Sequence, residues 1–197
     1  MIQLLGSLHD EHGNTTIDGL NNRQHWTGVA DMLWARPSAT VLGIDVPHVI
    51  GSSAAIQASA TARVSLRIPN EVGGQDAQDA LVEHLQSRVP WGLERTIERV
   101  AVGDPFQGSL SGPGYESLKA GMEEAYGREL TTEGQGGSIP LCNVLADTYP
   151  DAEIILLGVE EPLALIHAPN ESVDPGEIRA LAESLALFLQ RYPTLHG

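Results

Sequence analysis

The chain has 197 residues, with 26 acidic side chains against 11 basic ones and a formal net charge of −15. With 42% hydrophobic residues it can bury a core, and its one cysteine, Cys142, can form no internal bridge, so disorder and a disulfide-stapled miniature are both excluded as classes. The acidic field and the scattered basic residues argue against nucleic-acid or membrane-surface partners; no apolar run reaches the roughly 18 residues of a membrane span, no export signal is readable, and a reducing cytoplasm is the expected compartment.

Ile2, Leu4, Leu5 and Leu8 fall near helical spacing ahead of HDEHGN, where Gly13 and Asn14 carry helix-stop chemistry. TTIDGL reads as a strand, and a short helical patch at Val29, Met32 and Leu33 ends at Pro37. SATVLGID is a compact β-type run. The following AAIQASATARVSLRIP alternates strictly, with Ile56, Ala58, Ala60, Ala62, Val64, Leu66 and Ile68 on one face and Gln57, Ser59, Thr61, Arg63, Ser65 and Arg67 on the other. That period of two marks a half-buried antiparallel strand. AQDALVEHLQSRV then gives a helical stripe through Ala77, Ala80, Leu81, Val82, Leu85 and Val89, and LERTIERVAV returns as a second alternating strand. A helix on one face of an antiparallel sheet is an α+β arrangement.

GDPFQGSLSGPG is dense in Gly, Pro and Ser and places a domain boundary near residue 110, giving domains of 1–110 and 111–197. Beyond it the spacing predicts a helix in YESLKAGMEEAYG, a Gly-rich loop entering a second helix in GQGGSIPLCNVLADTYP, a buried-type strand in AEIILLGV and a terminal helix in PGEIRALAESLALFLQRY. One strand cannot make a sheet, so this tail must pair with the first domain or with a sheet outside the chain.

Three constellations carry chemistry. His167 stands in IHAPNESVDP, stiffened by Pro169 and crowded by Asn170, Glu171 and Asp174 ahead of a capped helix start. A neutral imidazole there suits a metal, but it has no partner at any zinc-site spacing, and an ordinary loop histidine fits the same residues. In GQGGSIP, Gly134, Gly136, Gly137 and Ser138 permit close backbone approach and an anion at a helix start, or simply cap the helix. Arg67 projects from the polar face of the long strand, where it can pair with a carboxylate or stand solvated. Cys142, between Leu141 and Asn143, reads as buried filler, and the remaining histidines form no ligand pattern.

The order RPSATVLGID, GSSAAIQASATARVSLRIP, GQGGSIPLCNVLA and LGVEEPLALIHAPNESVDPGEI resembles the second half of the carnosinase/aminoacylase-type di-zinc metallopeptidases, in particular their bacterial dipeptidase branch. The resemblance implies an α+β lid domain over residues 1–110, followed by the C-terminal part of an α/β zinc-peptidase catalytic domain. It implies His167 as a ligand of one of two zinc ions, Gly137 and Ser138 as contacts for the substrate backbone and carboxylate, and Arg67 as the lid arginine that holds the substrate's C-terminal carboxylate. A homodimer and a small peptide or acyl amino acid substrate are implied too. The family's HxD motif, its glutamate pair, its further metal carboxylates and a lid histidine have no counterpart here, and the lid is shortened between GLNNRQHWTGV and ADMLWARP. The expectation is therefore a C-terminal fragment or truncated relative with no catalytic residue of its own and inactive alone, or else a non-enzymatic dimerisation module derived from the lid.

Overall fold

The computed structural model describes residues 1–20, 36–134 and 139–195. They divide into two units, one comprising Met1–Phe106 and Gly134–Pro140, the other Gln107–Glu133 and Leu141–Gly197. The helical patch expected at Val29, Met32 and Leu33 lies outside the described residues, as do Gly137 and Ser138.

In the first unit a short helix, α1 (Ile2–Gly6), leads to Leu8, which is wholly buried. The Asp10 carboxylate accepts the amides of His12 and Asn14 and the side-chain amide of Asn14, which turns the chain back so that His9 and Thr15 form a single β-bridge. That bridge is all that remains of the strand expected over TTIDGL. Ile17 drops into the core, and the chain turns at once through Gly19, whose φ of 80° belongs to the left-handed region that glycine enters without penalty.

Strand β1 (Ser38–Asp45) pairs antiparallel with β2 (Thr61–Arg67), Ser38 opposite Arg67 and Asp45 opposite Thr61. A register shift between Val41 and Gly43 inserts one extra residue in β1, so that Ile44, three positions after Val41, faces Ala62 on the same side as the Val41–Val64 pair. Helix α2 (Gly74–Ser87) covers that side. Its stripe packs Ala77, Ala80, Leu81 and Leu85 with Val41, Val64, Leu66 and Ile68 around Leu8, Ile17, Leu20 and Ala39. This is the α+β arrangement expected, on a sheet of two strands.

The long alternating strand is correspondingly shorter than its pattern implied. Residues 54–60 form no ladder, because β1 ends at Asp45 and offers nothing for them to pair with, and Ile56 stands fully exposed. LERTIERVAV likewise forms no strand: after a 3-10 turn at Pro90–Gly92 it runs outside any ladder, with Leu93, Val100 and Val102 exposed. Alternation needs a hydrogen-bonded edge to become a strand, and the one sheet among the described residues has only β1 and β2.

The second unit is built on α3 (Pro113–Tyr126), α4 (Pro140–Thr148) and α5 (Pro175–Leu195). Helices α3 and α5 meet at Gly121, where a Cβ would lie 2.8 Å from the Ser184 carbonyl, so only glycine allows this approach. The buried Ser184 hydroxyl donates back to the Ala180 carbonyl at 2.7 Å, and Arg191 of α5 pairs with Glu124 of α3. AEIILLGV, expected as a buried strand, forms no ladder and leaves Leu156 and Leu157 exposed.

Two helix starts share a device. Neither α2 nor α3 has a local side-chain cap; both have glycine at the N-cap. Asp104 accepts the Gly74 amide at 2.7 Å, and the Glu153 carboxylate accepts the amides of Gly114 and Tyr115, each at 2.7 Å. A carboxylate here satisfies orphan N–H groups and meets the positive end of the helix dipole. Glycine is needed for the approach: a Cβ on Gly112 or Gly74 would lie 2.7 Å from the Glu153 carboxyl or the Gly103 carbonyl. No helix among the described residues is long and apolar enough to cross a membrane.

Candidate functional site

The His167 loop lies wholly in the second unit. Its backbone is folded into successive turns, with Ala168 N donating to Leu165 O at 2.8 Å, Glu171 N to Ala168 O at 3.2 Å and Ser172 N to Ala164 O at 2.9 Å. To make them, Leu165, His167 and Asn170 take φ of 55°, 63° and 65°. Asparagine and histidine enter that region more readily than most residues, whereas leucine does so at a cost of order 1–3 kcal/mol. These turns present an exposed imidazole, one residue beyond Ile166, which with Gly158, Glu160, Glu171 and Val173 borders a hollow of about 280 Å³. Asp174 then accepts the Gly176 amide at 2.7 Å and starts α5, as its place before Pro175 suggested.

Arg67 lies in the first unit, at the end of β2, exposed and opposite Ser38. Val64 and Leu66 turn to the core, so Arg63, Ser65 and Arg67 turn outward. Gly137 and Ser138 are outside the described residues, so of the four residues singled out in the sequence the fold positions Arg67 and His167, one in each unit. Cys142 is buried.

Whether these residues suit a two-metal centre can be tested on the donor set. Among the described residues no group of three or more His, Cys, Asp or Glu side chains converges, and His167 stands without such company. A tetrahedral site takes about four ligands and a bimetallic one more. The described residues do not fit such a centre.

One histidine escaped sequence reasoning. His84 is only 6% exposed, on the core face of α2. Its Nε2 lies 2.9 Å from the Ser7 carbonyl and 3.1 Å from the Ser7 hydroxyl, which itself donates to Leu4 O at 2.7 Å. A carbonyl only accepts, so Nε2 carries the proton. Burial, with Arg88 nearby, holds this imidazole below its usual range, against the opposing influence of the Ser7 carbonyl and Asp18. Its place seven residues after Ala77, on the apolar stripe of α2, was the available signal.

No family model matches the chain. It is 34% identical over 220 residues to the cysteinylglycine-S-conjugate dipeptidase of Corynebacterium striatum, an alignment spanning 98% of this chain and 48% of that one. Its fold is similar to that of the di-peptidase Dug1p of Saccharomyces cerevisiae, at a TM-score of 0.79 and 18% identity over 98% of this chain and 48% of the other. It is also similar to the M20 family metallo-carboxypeptidase Sso-CP2 of Sulfolobus solfataricus, at 0.74 and 15% over 98% and 52% of the two chains. Human carnosine dipeptidase 1 gives 0.70 and 17% over 98% and 48%. The chain spans about half the length of the curated relative it matches.

Proposed function

From its kinship with the carnosinase/aminoacylase-type metallopeptidases over about half their length, we propose that this chain is the lid and final catalytic segment of a zinc-dependent dipeptidase pathway of catalysis that it cannot complete alone. The parent reaction is hydrolysis of a peptide or related amide bond in a small substrate. The observation that carries the reading is the 34% identity to a dipeptidase along 98% of the chain. Residues 1–110 are the lid and 111–197 the catalytic segment. His167 is one metal ligand, and its exposed place on a tightly turned loop supports that role. Arg67 holds the substrate's C-terminal carboxylate by a bidentate pair, fixing its register, while Gly137 and Ser138 contact the substrate backbone. The alignment is longer than this chain, 220 residues against 197, so the chain is shorter than that relative somewhere within the matched stretch.

The test is turnover together with metal content. The purified protein, assayed with cysteinylglycine and added zinc, is expected to show no hydrolysis and no bimetallic loading by elemental analysis. Zinc-dependent turnover with two metals per chain would overturn the proposed incompleteness, and the role given to His167 would then be examined by His167→Ala.

A second reading, a non-enzymatic module that pairs with a second copy, is favoured by the far end of the β1–β2 hairpin. There Leu42, Ile44, Val46, Val49, Ile50 and Ile56 are all exposed, Val49 and Ile50 at 90% and 94%. So many large apolar side chains left exposed in one stretch of chain suit a surface that a second copy covers. A defined dimer by sedimentation, lost on Ile50→Asp, would favour this reading; a monomer would remove it.

A further inference from the structure

The outward face of the hairpin carries more than Arg67. Strand periodicity places Arg63 on the same face, four residues earlier, with Ser65 between them. The ladder sets Ser38 opposite Arg67, Thr40 opposite Ser65 and Gly43 opposite Arg63. Hydroxyls therefore line the interval between two guanidinium stems, and the position across from Arg63 has no side chain. A Cβ built on Gly43 would touch nothing within 4 Å, so the position across from Arg63 is open.

Both arginines of this face stand exposed. The chain has 26 acidic side chains and 11 basic ones, and Arg99, Lys119 and Arg191 each pair with a carboxylate. Among the described residues Arg63 and Arg67 do not, although Asp45 stands on the same face opposite Thr61. Four residues of strand separate their Cα atoms by about 13 Å, a span that two long, flexible arginine side chains on one face can bridge to a shared anion above Ser65. A carboxylate has the acceptor geometry for two such forks.

Resting on the reading of Arg67 given above, we infer that Arg63 is a second anion-binding side chain, and that Arg63 and Arg67 close together on one carboxylate of the substrate, with the Ser65 and Thr40 hydroxyls beneath it. Arg63 then sets affinity and register, and it does so by sharing the anion that Arg67 holds.

The experiment is an NMR titration of the isotope-labelled 197-residue protein with glycylglycine, with its C-terminal amide and with inorganic phosphate, following the arginine Nε–H and Ser65 amide signals. The dipeptide is expected to shift both arginines and Ser65, and the amide to shift neither. Arg63→Gln should weaken dipeptide binding about 2- to 5-fold, the size of an exposed charge pair. In an Arg67→Gln background the same substitution should add nothing, because the shared anion is already lost. If Arg67→Gln abolishes binding while Arg63→Gln leaves it unchanged, the inference about Arg63 fails and the reading of Arg67 stands. If the dipeptide shifts neither arginine, both fail. Phosphate binding as tightly as the dipeptide would make the face a general oxyanion site and overturn the assignment to substrate.

Discussion

The two units bury themselves in opposite ways. The first closes a sheet face under a helix, with Leu8 and Ile17 wholly inside. In the second the most deeply buried side chains are Ser117 and Ser184, and the helices touch through Gly121, while Leu163, Leu165, Ile166, Ile178 and Leu189 stay exposed. The contrast teaches that a hydrophobic pattern specifies a face, and that whether the face is buried depends on what the chain supplies to cover it. In the first unit α2 covers part of it; in the second, α3 and α5 pack closely through Gly121 and the buried apolar side chains among the described residues are few, Leu118, Cys142 and Ala164.

The sharpest way to break the comparison is Leu8→Ala. It should cost about 2–5 kcal/mol, confined to the first unit, and chemical denaturation followed by fluorescence and helicity would show one transition moving and another staying. A single transition shifting as a whole would make the units one cooperative body. Gly121→Val is the counterpart in the second unit. Forcing a side chain against the Ser184 carbonyl should cost about 1–3 kcal/mol, visible as a lowered midpoint for loss of helix. Glu153→Gln and Asp104→Asn, which keep an acceptor and remove the charge, should each cost about 0.5–1 kcal/mol, one in each unit.

The smallest effect is a pH slope carried by the first unit alone. Because burial holds His84 below its usual range in the folded state, the unfolded chain takes up the proton first. The stability from keeping it neutral is complete above the ordinary histidine pKa of about 6.5 and is lost as pH falls below that towards the depressed folded value. Melting curves of the wild type and His84→Gln between neutral and mildly acid pH should converge at the acid end. Parallel curves would show that His84 does not titrate in that range.

Much of this fold is legible from the residues: the stripe from Ala77 to Leu85 gives α2, SATVLGID gives β1, and Asp174-Pro175 marks the start of α5. Three expected strands are not realised, since VAV and IILLGV have the composition of strands, and pairing is a property of neighbours that composition does not contain. Of the site, Arg67 was reached through resemblance, and its outward direction follows from Val64 and Leu66 facing the core. The left-handed backbone at Leu165 has no composition signal, because leucine does not favour it. Capping of α2 and α3 was hidden for a different reason. Ser, Thr, Asp or Asn directly before a helix can be read locally, whereas these starts borrow a carboxylate from far along the chain.

That borrowing bears on the order in which the chain assembles. The acceptor for Gly74 lies 30 residues on and the acceptor for Gly114 lies 39 residues on, so the first turns of α2 and α3 cannot be completed by local folding. Each waits until a long loop has closed, which costs entropy before any bond is returned. The amides of Gly74, Gly114 and Tyr115 are therefore natural clocks: in pulsed hydrogen exchange they should gain protection after the helix interiors that follow them, and in the native protein they should open together with the loops that carry Asp104 and Glu153.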